Sequence, residues 1–494
     1  MQAVASTTVI RIACVLGLML TVVSVRAGDW LIDPRVNINE SFTDNVTLAP
    51  TDELADLVTT VLPGITVRGT SARLDLNLDY NLQYLKYADN TQFDDLNHQM
   101  QAAAELMVFE DLVYFSTRSS LSQQNTSSNR QFAQSNRSQT GNRTNVLYYE
   151  YGPVVRHALG RWASLDASYL MNRSDRTVIA APDALTGQVV TAPGGSKEDV
   201  IRVNVDSGPR LPRTPISLSY TSREQTRAQG VGQGQRSKLQ RVLAEVGYQL
   251  NRQLRLTAEG GAEFNQVQTA RNNRDGPSWF FGGVWTPTPR TEIAGRYGSR
   301  FFGKTFTVNA SHRMRRVVMG FNYGEELRTT NQVQSELELV PLTDPFGNPI
   351  LDPNTTPDIL TPPGLPSLAD DVILSRDISA SLSYAGRRDT VDLRVFDNRN
   401  EFQGTGVLES YRGVSVNFTH SLTRLVSASV GGLWRKADSL NRSQETWRIS
   451  PAMHYILGPN MTLNLNYEFV NGSGATALDN FTENAVTADV SYVF

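Results

Sequence analysis

The sequence predicts an all-β fold: a transmembrane, antiparallel, up-and-down β-barrel of about 22 strands, with 18 to 24 admissible. Short turns should face the periplasm and long loops the exterior. Three observations carry this reading. Apolar and polar residues alternate in strand-length runs, the breaks between runs alternate between short and long, and the last strand ends on Phe494.

The alternation is cleanest in residues 73–84, RLDLNLDYNLQY. Leu74, Leu76, Leu78, Tyr80, Leu82 and Tyr84 fall on one face, with Asp75, Asn77, Asp79 and Asn81 on the other. A period of two is that of an extended strand. Against lipid, the apolar face points outward and the polar face lines a lumen. Residues 252–264 repeat the pattern, setting Arg255, Glu259 and Glu263 opposite Leu254, Leu256 and Phe264. Residues 461–469 do so with Asn464, Asn466 and Glu468 against Leu463, Leu465 and Tyr467. Segments 376–384, 412–420 and 426–434 also alternate, whereas 146–155, VLYYEYGPVV, is apolar on both faces and cannot be phased.

Short breaks include 69–71, 157–160, 207–215, 286–289, 385–388 and 457–460. Long polar breaks fall at 86–97, 124–142, 174–197, 225–237, 265–276, 325–372, 399–409, 436–445 and 470–482. A soluble sandwich has no reason to sort its loops in this way. The final strand, AVTADVSYVF, places Val486, Ala488, Val490, Tyr492 and Phe494 on one face and Asp489 on the other. It resembles the C-terminal signature that assembly machinery reads in outer-membrane barrels. Tyr492 and Phe494 are therefore expected to face lipid and serve as that signal.

Residues 1–27 read as a secretory signal peptide, with Arg11, an apolar run over 12–23, and Val25 and Ala27 before cleavage at Gly28. An N-terminal membrane anchor is the other reading. The barrel then occupies 28–494, with a first strand and family-specific segment at 28–60. Cys14, the only cysteine, leaves with the leader, so no disulfide, Cys-ligated metal or thiol nucleophile is expected. Loss of Arg11 and Arg26 moves the net charge from −3 to −5, which gives no reason for nucleic acid. Mean hydropathy is −0.31, and beyond the leader no run approaches a membrane helix.

The segment after the leader carries Phe42-Thr43-Asp44-Asn45-Val46, Leu48-Ala49-Pro50, Pro63-Gly64 and Gln83-Tyr84-Leu85-Lys86-Tyr87-Ala88. It resembles a family of Gram-negative outer-membrane barrels associated with PEP-CTERM sorting and exopolysaccharide systems, related to a broader group of β-barrel porins. The resemblance implies an outer-membrane protein made beside a surface polysaccharide or surface-protein system. It supplies no catalytic residues.

Twenty-two strands enclose more space than side chains fill. The lumen-lining positions expected from the alternation are Asp75, Asn77, Asp79, Asn81, Arg255, Glu259, Glu263, Asn464, Asn466, Glu468 and Asp489. Further charges of both signs are expected at Arg202, Asp206, Arg223, Arg241, Glu245, Glu292, Arg296, Asp392 and Arg394. Selectivity rings need one sign to dominate, so mixed charge implies a weakly selective, hydrated passage. Only about 33 residues of mature chain precede the second strand, too few for a globular plug. The Pro-rich loop 325–372 either folds inward as a constriction or stays outside as a surface loop. Gly-rich 230–234 lacks a following helix pattern. His420-Ser421 is the nearest approach to a hydrolase pairing, and an interfacial histidine explains it without chemistry. Asp44-Asn45 is either an Asx turn or a Ca²⁺ ligand pair.

No cofactor, metal or enzymatic activity is expected. The expected function is a porin-like channel linked to exopolysaccharide export or matrix assembly. The alternative is a non-conducting anchor whose loops bind matrix polysaccharide, and a barrel hydrolase is the remote third. Outer-membrane lipid and the assembly machinery are the implied partners, with polysaccharide or export-complex proteins beyond them.

Overall fold

In the computed structural model, strand pairing follows the chain without exception. The structure describes residues 29–127, 131–178, 194–227, 234–267, 275–333, 367–368, 371–439 and 442–494. The leader 1–27, residues 230–233 and the centre of the 325–372 loop lie outside these ranges.

The first strands are β1 (Asp29–Thr43), β2 (Asp56–Thr70), β3 (Leu74–Tyr87), β4 (Asp95–Phe109), β5 (Val113–Asn125), β6 (Arg143–Leu159) and β7 (Ala163–Val178). They continue as β8 (Ser196–Ser207), β9 (Ile216–Arg227), β10 (Arg236–Gln249), β11 (Leu254–Gln266), β12 (Gly276–Thr288), β13 (Thr291–Arg300), β14 (Gly303–Arg313) and β15 (Val317–Thr329). The last are β16 (Val372–Ala385), β17 (Asp389–Phe402), β18 (Leu408–Ser421), β19 (Val426–Ser439), β20 (Arg442–Gly458), β21 (Met461–Gly474) and β22 (Phe481–Val493). Each pairs antiparallel with its successor, and β1 closes on β22 from Arg35↔Val493 to Thr43↔Ala485. This is a closed 22-stranded barrel, as the sequence predicts.

Directly opposed residues share a face. Following the register from β1 round to β22 returns to β1 on the same face, so the wall has two consistent sides. On one side the large apolar residues are exposed, including Ile38, Phe42, Phe281, Trp285, Trp447 and Ile449. On the other, polar groups such as Asn37, Ser41, Gln83, Glu263, Glu468 and Glu483 are buried. This inside-out distribution is that of a membrane barrel whose lumen holds packed chain.

The outer face also fixes the level of the membrane. Among described strand residues, its periplasmic half carries one Asp, Glu, Lys or Arg, Asp389 beside the β16–β17 turn. All five lysines, Lys86, Lys197, Lys238, Lys304 and Lys436, sit on the outer register at the extracellular ends of their strands. On β20 the apolar belt runs nine residues, from Trp447 to Tyr455, close to the 9–11 a tilted strand needs to span. The strand itself has 17 residues, so its upper end stands clear of lipid.

That protrusion corrects the loop boundaries read from sequence. Residues 399–402 and 408–409 belong to β17 and β18, and 436–439 and 442–445 to β19 and β20. Arg399, Glu401, Arg412, Lys436 and Asp438 lie on outer strand positions above the belt, where water tolerates charge. The ten periplasmic turns have two to eight residues and the extracellular connections from two to 42. The unphased segment 146–155 lies within β6, where Val146, Tyr148 and Val154 point inward. Val154 packs with Leu170 and Val200, an apolar cluster on the inner wall.

Candidate functional site: the lumen and its constriction

Every expected lumen position falls on the inner register. Asp75, Asn77, Asp79 and Asn81 do so on β3, and Arg255, Glu259 and Glu263 on β11. Asn464, Asn466 and Glu468 do so on β21, and Asp489 on β22. Tyr492 is on the outer register and half-exposed, and Phe494 is exposed and ring-packed against it.

The structure brings some of these residues into separate ionic networks and leaves Asp75 and Arg255 outside them. Arg35 of β1 contacts Asp79 and Asn81, each at 2.7 Å. Glu259 accepts from Arg241 at 2.9 Å and Arg296 at 3.1 Å, and Glu263 holds Arg300 through both oxygens at 2.6 and 3.0 Å. Arg241, Arg296 and Arg300 thus neutralise Glu259 and Glu263 along β10–β13, while Glu245, Arg255 and Glu292 stay outside the network. The periplasmic half of the wall from β14 to β19 differs. It presents Asn309, Ser311, Gly320, Asn322, Ser379, Ser381, Ser415, Asn417 and Ser429, interrupted by Arg313, Asp392 and Arg394. A cavity of about 250 Å³ lies on this wall, lined by Glu292, Asn309, Ser311, Gly320, Asn322 and Ser381 among others.

The extracellular half is filled by loops. Residues 126–142 join β5 to β6, and Phe132, Ala133, Ser135, Asn136, Arg137 and Ser138 of this loop are buried. Most of its described side chains are amides and hydroxyls, which serve as its own struts. Asn142 donates to the carbonyls of Ser127 and Gln131, and Asn125 to that of Ala133. Gln139 donates its backbone N–H to Val46 in the β1–β2 loop at 2.6 Å and its side chain to the Tyr87 hydroxyl. Asn136 reaches Gln83 at 2.6 Å.

Arg137 is the main anchor. Its guanidinium donates to Glu468 on β21 at 2.6 Å and to Glu483 on β22 at 3.2 Å, with all three side chains under a tenth exposed. Arg448 holds the second oxygen of Glu468 at 2.7 Å. Farther across, the Arg435 guanidinium of β19 lies 3.9 Å from the Phe132 ring centroid. From β5 to β19 is eight steps round a 22-strand ring, so the loop crosses the lumen rather than lining one wall.

The rim is also drawn in opposite the loop. Thr329 of β15 donates to Glu198 of β8 at 2.8 Å, and Ser196 to Asn331 in the helical turn 330–333 at 2.9 Å. Strands about 4.8 Å apart and tilted about 40° would make a circular wall roughly 44 Å across, with sites seven strands apart separated by about 37 Å. The end of β15–β16, whose ladder with β14 stops at Tyr323, therefore leans inward, and Leu327 and Val372 pack on Leu239 of the β10 inner face. The other end of the same connection, Ser367-Leu368, meets Glu409 of β18 and Thr126 of the β5–β6 loop.

The sequence leaves the 325–372 loop either as an inward constriction or as an external surface loop. The described ends of that connection enter the lumen, and its residues 341–366 lie outside the described ranges. The loop that demonstrably crosses is 126–142. Its signal was a long loop poor in charge yet holding Phe132 and Arg137, a composition suited to burial. Asn45 is an Asx-type brace, exchanging hydrogen bonds with Ala49 at 2.8 Å, and Asp44 accepts from Asn484. Among the described residues no three His, Cys, Asp or Glu are grouped to hold a metal. His420 bonds Asp389 at 2.6 Å on the outer register, and Ser421 falls on the inner one.

Residues 22–162 match the family described as "Putative beta-barrel porin 2". The matched segment contains Phe42 to Val46 and the other residues on which the family resemblance rests. It runs through β6 and includes the constriction loop. No curated protein sequence matches the chain. Among solved structures, the FrpB iron transporter of Neisseria meningitidis aligns at TM-score 0.54 and 11% identity, over 94% of this chain and 82% of that one. The ferric enterobactin receptor PfeA of Pseudomonas aeruginosa aligns at 0.52 and 10%, over 94% and 80%. The siderophore receptor PirA of Acinetobacter baumannii aligns at 0.50 and 9%, over 95% and 81%. At these identities the likeness is one of fold. The fold is that of outer-membrane β-barrels, and the family match over residues 22–162 supports a porin-like role in that membrane.

Proposed function

We propose that the protein is a channel for hydrated solutes, gated or narrowed at its extracellular mouth by the 126–142 loop, and that it serves export of a surface polysaccharide. The observation that carries the channel reading is the largely polar inner wall, crossed at its extracellular end by the protein's own loop. The family resemblance supports the polysaccharide link. Paired charges and a neutral Ser/Asn wall suit a polymer of hydroxyls, which needs hydrogen-bond partners and no fixed selectivity ring. No catalytic step belongs to this reading. The buried Arg137 and Arg435 contacts favour a second one, in which the mouth stays shut and the barrel anchors loops that bind matrix polysaccharide. Planar-bilayer recording separates the two. Stable current steps, enlarged when residues 131–140 are deleted, are expected of the channel. Absence of current from both forms overturns it in favour of the anchor.

A further inference from the structure

The ten periplasmic turns contain eleven arginines: Arg73, Arg161, Arg210, Arg213, Arg252, Arg290, Arg315, Arg316, Arg387, Arg388 and Arg424. The same turns contain two acids, Glu110 and Asp111, and no lysine. The chain as a whole has 46 basic and 49 acidic residues, so this imbalance belongs to the rim. All eleven side chains are in exposed residues. Among the described residues none has a carboxylate within ion-pair distance, whereas in the lumen Arg35, Arg137, Arg241, Arg296 and Arg300 are paired and Arg68, Arg202, Arg255 and Arg394 are not. The arginines run from the β2–β3 turn to the β18–β19 turn, round most of the mouth.

We propose that this ring captures an anionic polymer, a polysaccharide bearing carboxylate or phosphate groups, on the periplasmic side of the barrel. The proposal deepens the channel reading and rests on it for the polymer's onward path. Guanidinium forks match planar carboxylates and phosphates bidentately. A one-signed ring around an opening concentrates counter-charged ligands before contact. Membrane phosphates are the other polyanion within reach. Bases serving lipid would sit on the outer register at the membrane edge, where the lysines sit at the opposite end. In the periplasmic half that register has no Lys or Arg, and the arginines lie in the turns beyond it. A preference for Arg codons accounts for Arg in place of Lys. It does not account for the near absence of Asp and Glu from the same turns.

The test uses full-length protein in nanodiscs of zwitterionic lipid, with a polyuronate of defined length as probe and dextran of equal length as the neutral control. Binding of the polyuronate is expected to weaken steeply with added salt and to fall at least tenfold when all eleven arginines become Gln. A smaller variant, Arg315, Arg316, Arg387 and Arg388 to Gln, alters two exposed turns. It is expected to keep the heat-modifiable mobility of the folded barrel and lose affinity in part. In oriented bilayers, polyuronate added on the periplasmic side is expected to block current at lower concentration than from the other side. Unchanged affinity in the folded variants, or equal binding of dextran, overturns the proposal. So does loss of polyuronate binding in nanodiscs of anionic phosphatidylglycerol, which assigns the ring to lipid. Binding retained in a protein that passes no current overturns conduction alone and leaves the capture site standing.

Discussion

Arg137→Ala tests the constriction directly. The guanidinium joins the 126–142 loop to Glu468 and Glu483, and its loss strands two buried carboxylates as well as freeing the loop. Removing one partner of a buried ion pair costs about 3–5 kcal/mol. The lower end applies here, because Arg448 still reaches Glu468 and Thr43 still donates to Glu483 at 2.9 Å. About 3 kcal/mol moves the balance between the loop-in and loop-out states roughly 100-fold. A minor open state near 0.1% would rise to about 10% of the time, enough to register as discrete large openings in single-channel records. The triple variant R137A/E468Q/E483Q removes the stranded charges and should return much of the closed time. If R137A gates like the wild type while deletion of 131–140 enlarges the current, the loop constricts the lumen but Arg137 does not hold it. If the deletion is also silent, the constriction itself is refuted.

Leu78→Arg, in the middle of β3 on the lipid face, should cost about 2–4 kcal/mol in refolding titrations, whereas Asn77→Arg should fold normally and shift ion selectivity. Similar behaviour of the two would mean that the faces of β3 are misassigned. Gly152→Ala would set a Cβ 1.9 Å from the Tyr169 carbonyl oxygen, so β6 and β7 must part. A loss of about 1–3 kcal/mol is expected, against near neutrality for Gly260→Ala, where nothing lies within 4 Å; thermal shift of the folded band reads both. Burial raises the Asp371 carboxyl above its ordinary value, against the opposing hydrogen bonds from the Val372 and Gly404 N–H groups. A raised acid stabilises the fold most below its unfolded value and loses that contribution as pH rises through the folded one. Protection of the Gly404 and Thr330 amides from exchange should therefore be greater near pH 4 than near pH 7, and equal protection would overturn the assignment.

The strand pattern was legible because lipid and water impose opposite demands on alternate residues. RLDLNLDYNLQY fixes its own faces, and Asp79 and Asn81 meet Arg35 on the polar one. Its depth was not legible. Leu76 lies near the periplasmic turn and is almost buried by neighbours, so the midplane position is nearer Leu78. Strand ends were misread at 399–409 and 436–445 for the same reason. Alternation marks the edge of the lipid, and the strand continues beyond it with charge on both faces. Long-range contacts such as Arg137 with Glu468, 331 residues apart, cannot be read locally: the low charge of the 126–142 loop marks it as suited to burial but does not name the strands it meets. Charge sorting is the exception that sequence could have shown. Once the turns are located, eleven arginines against two acids at one end, and lysine at the other, can be read by eye. The separation has a physical logic. In the lumen, Arg35, Arg137, Arg241, Arg296 and Arg300 are matched to carboxylates and their charge is spent. In the turns arginine is unmatched, and the field it sets up acts on whatever approaches from the periplasm.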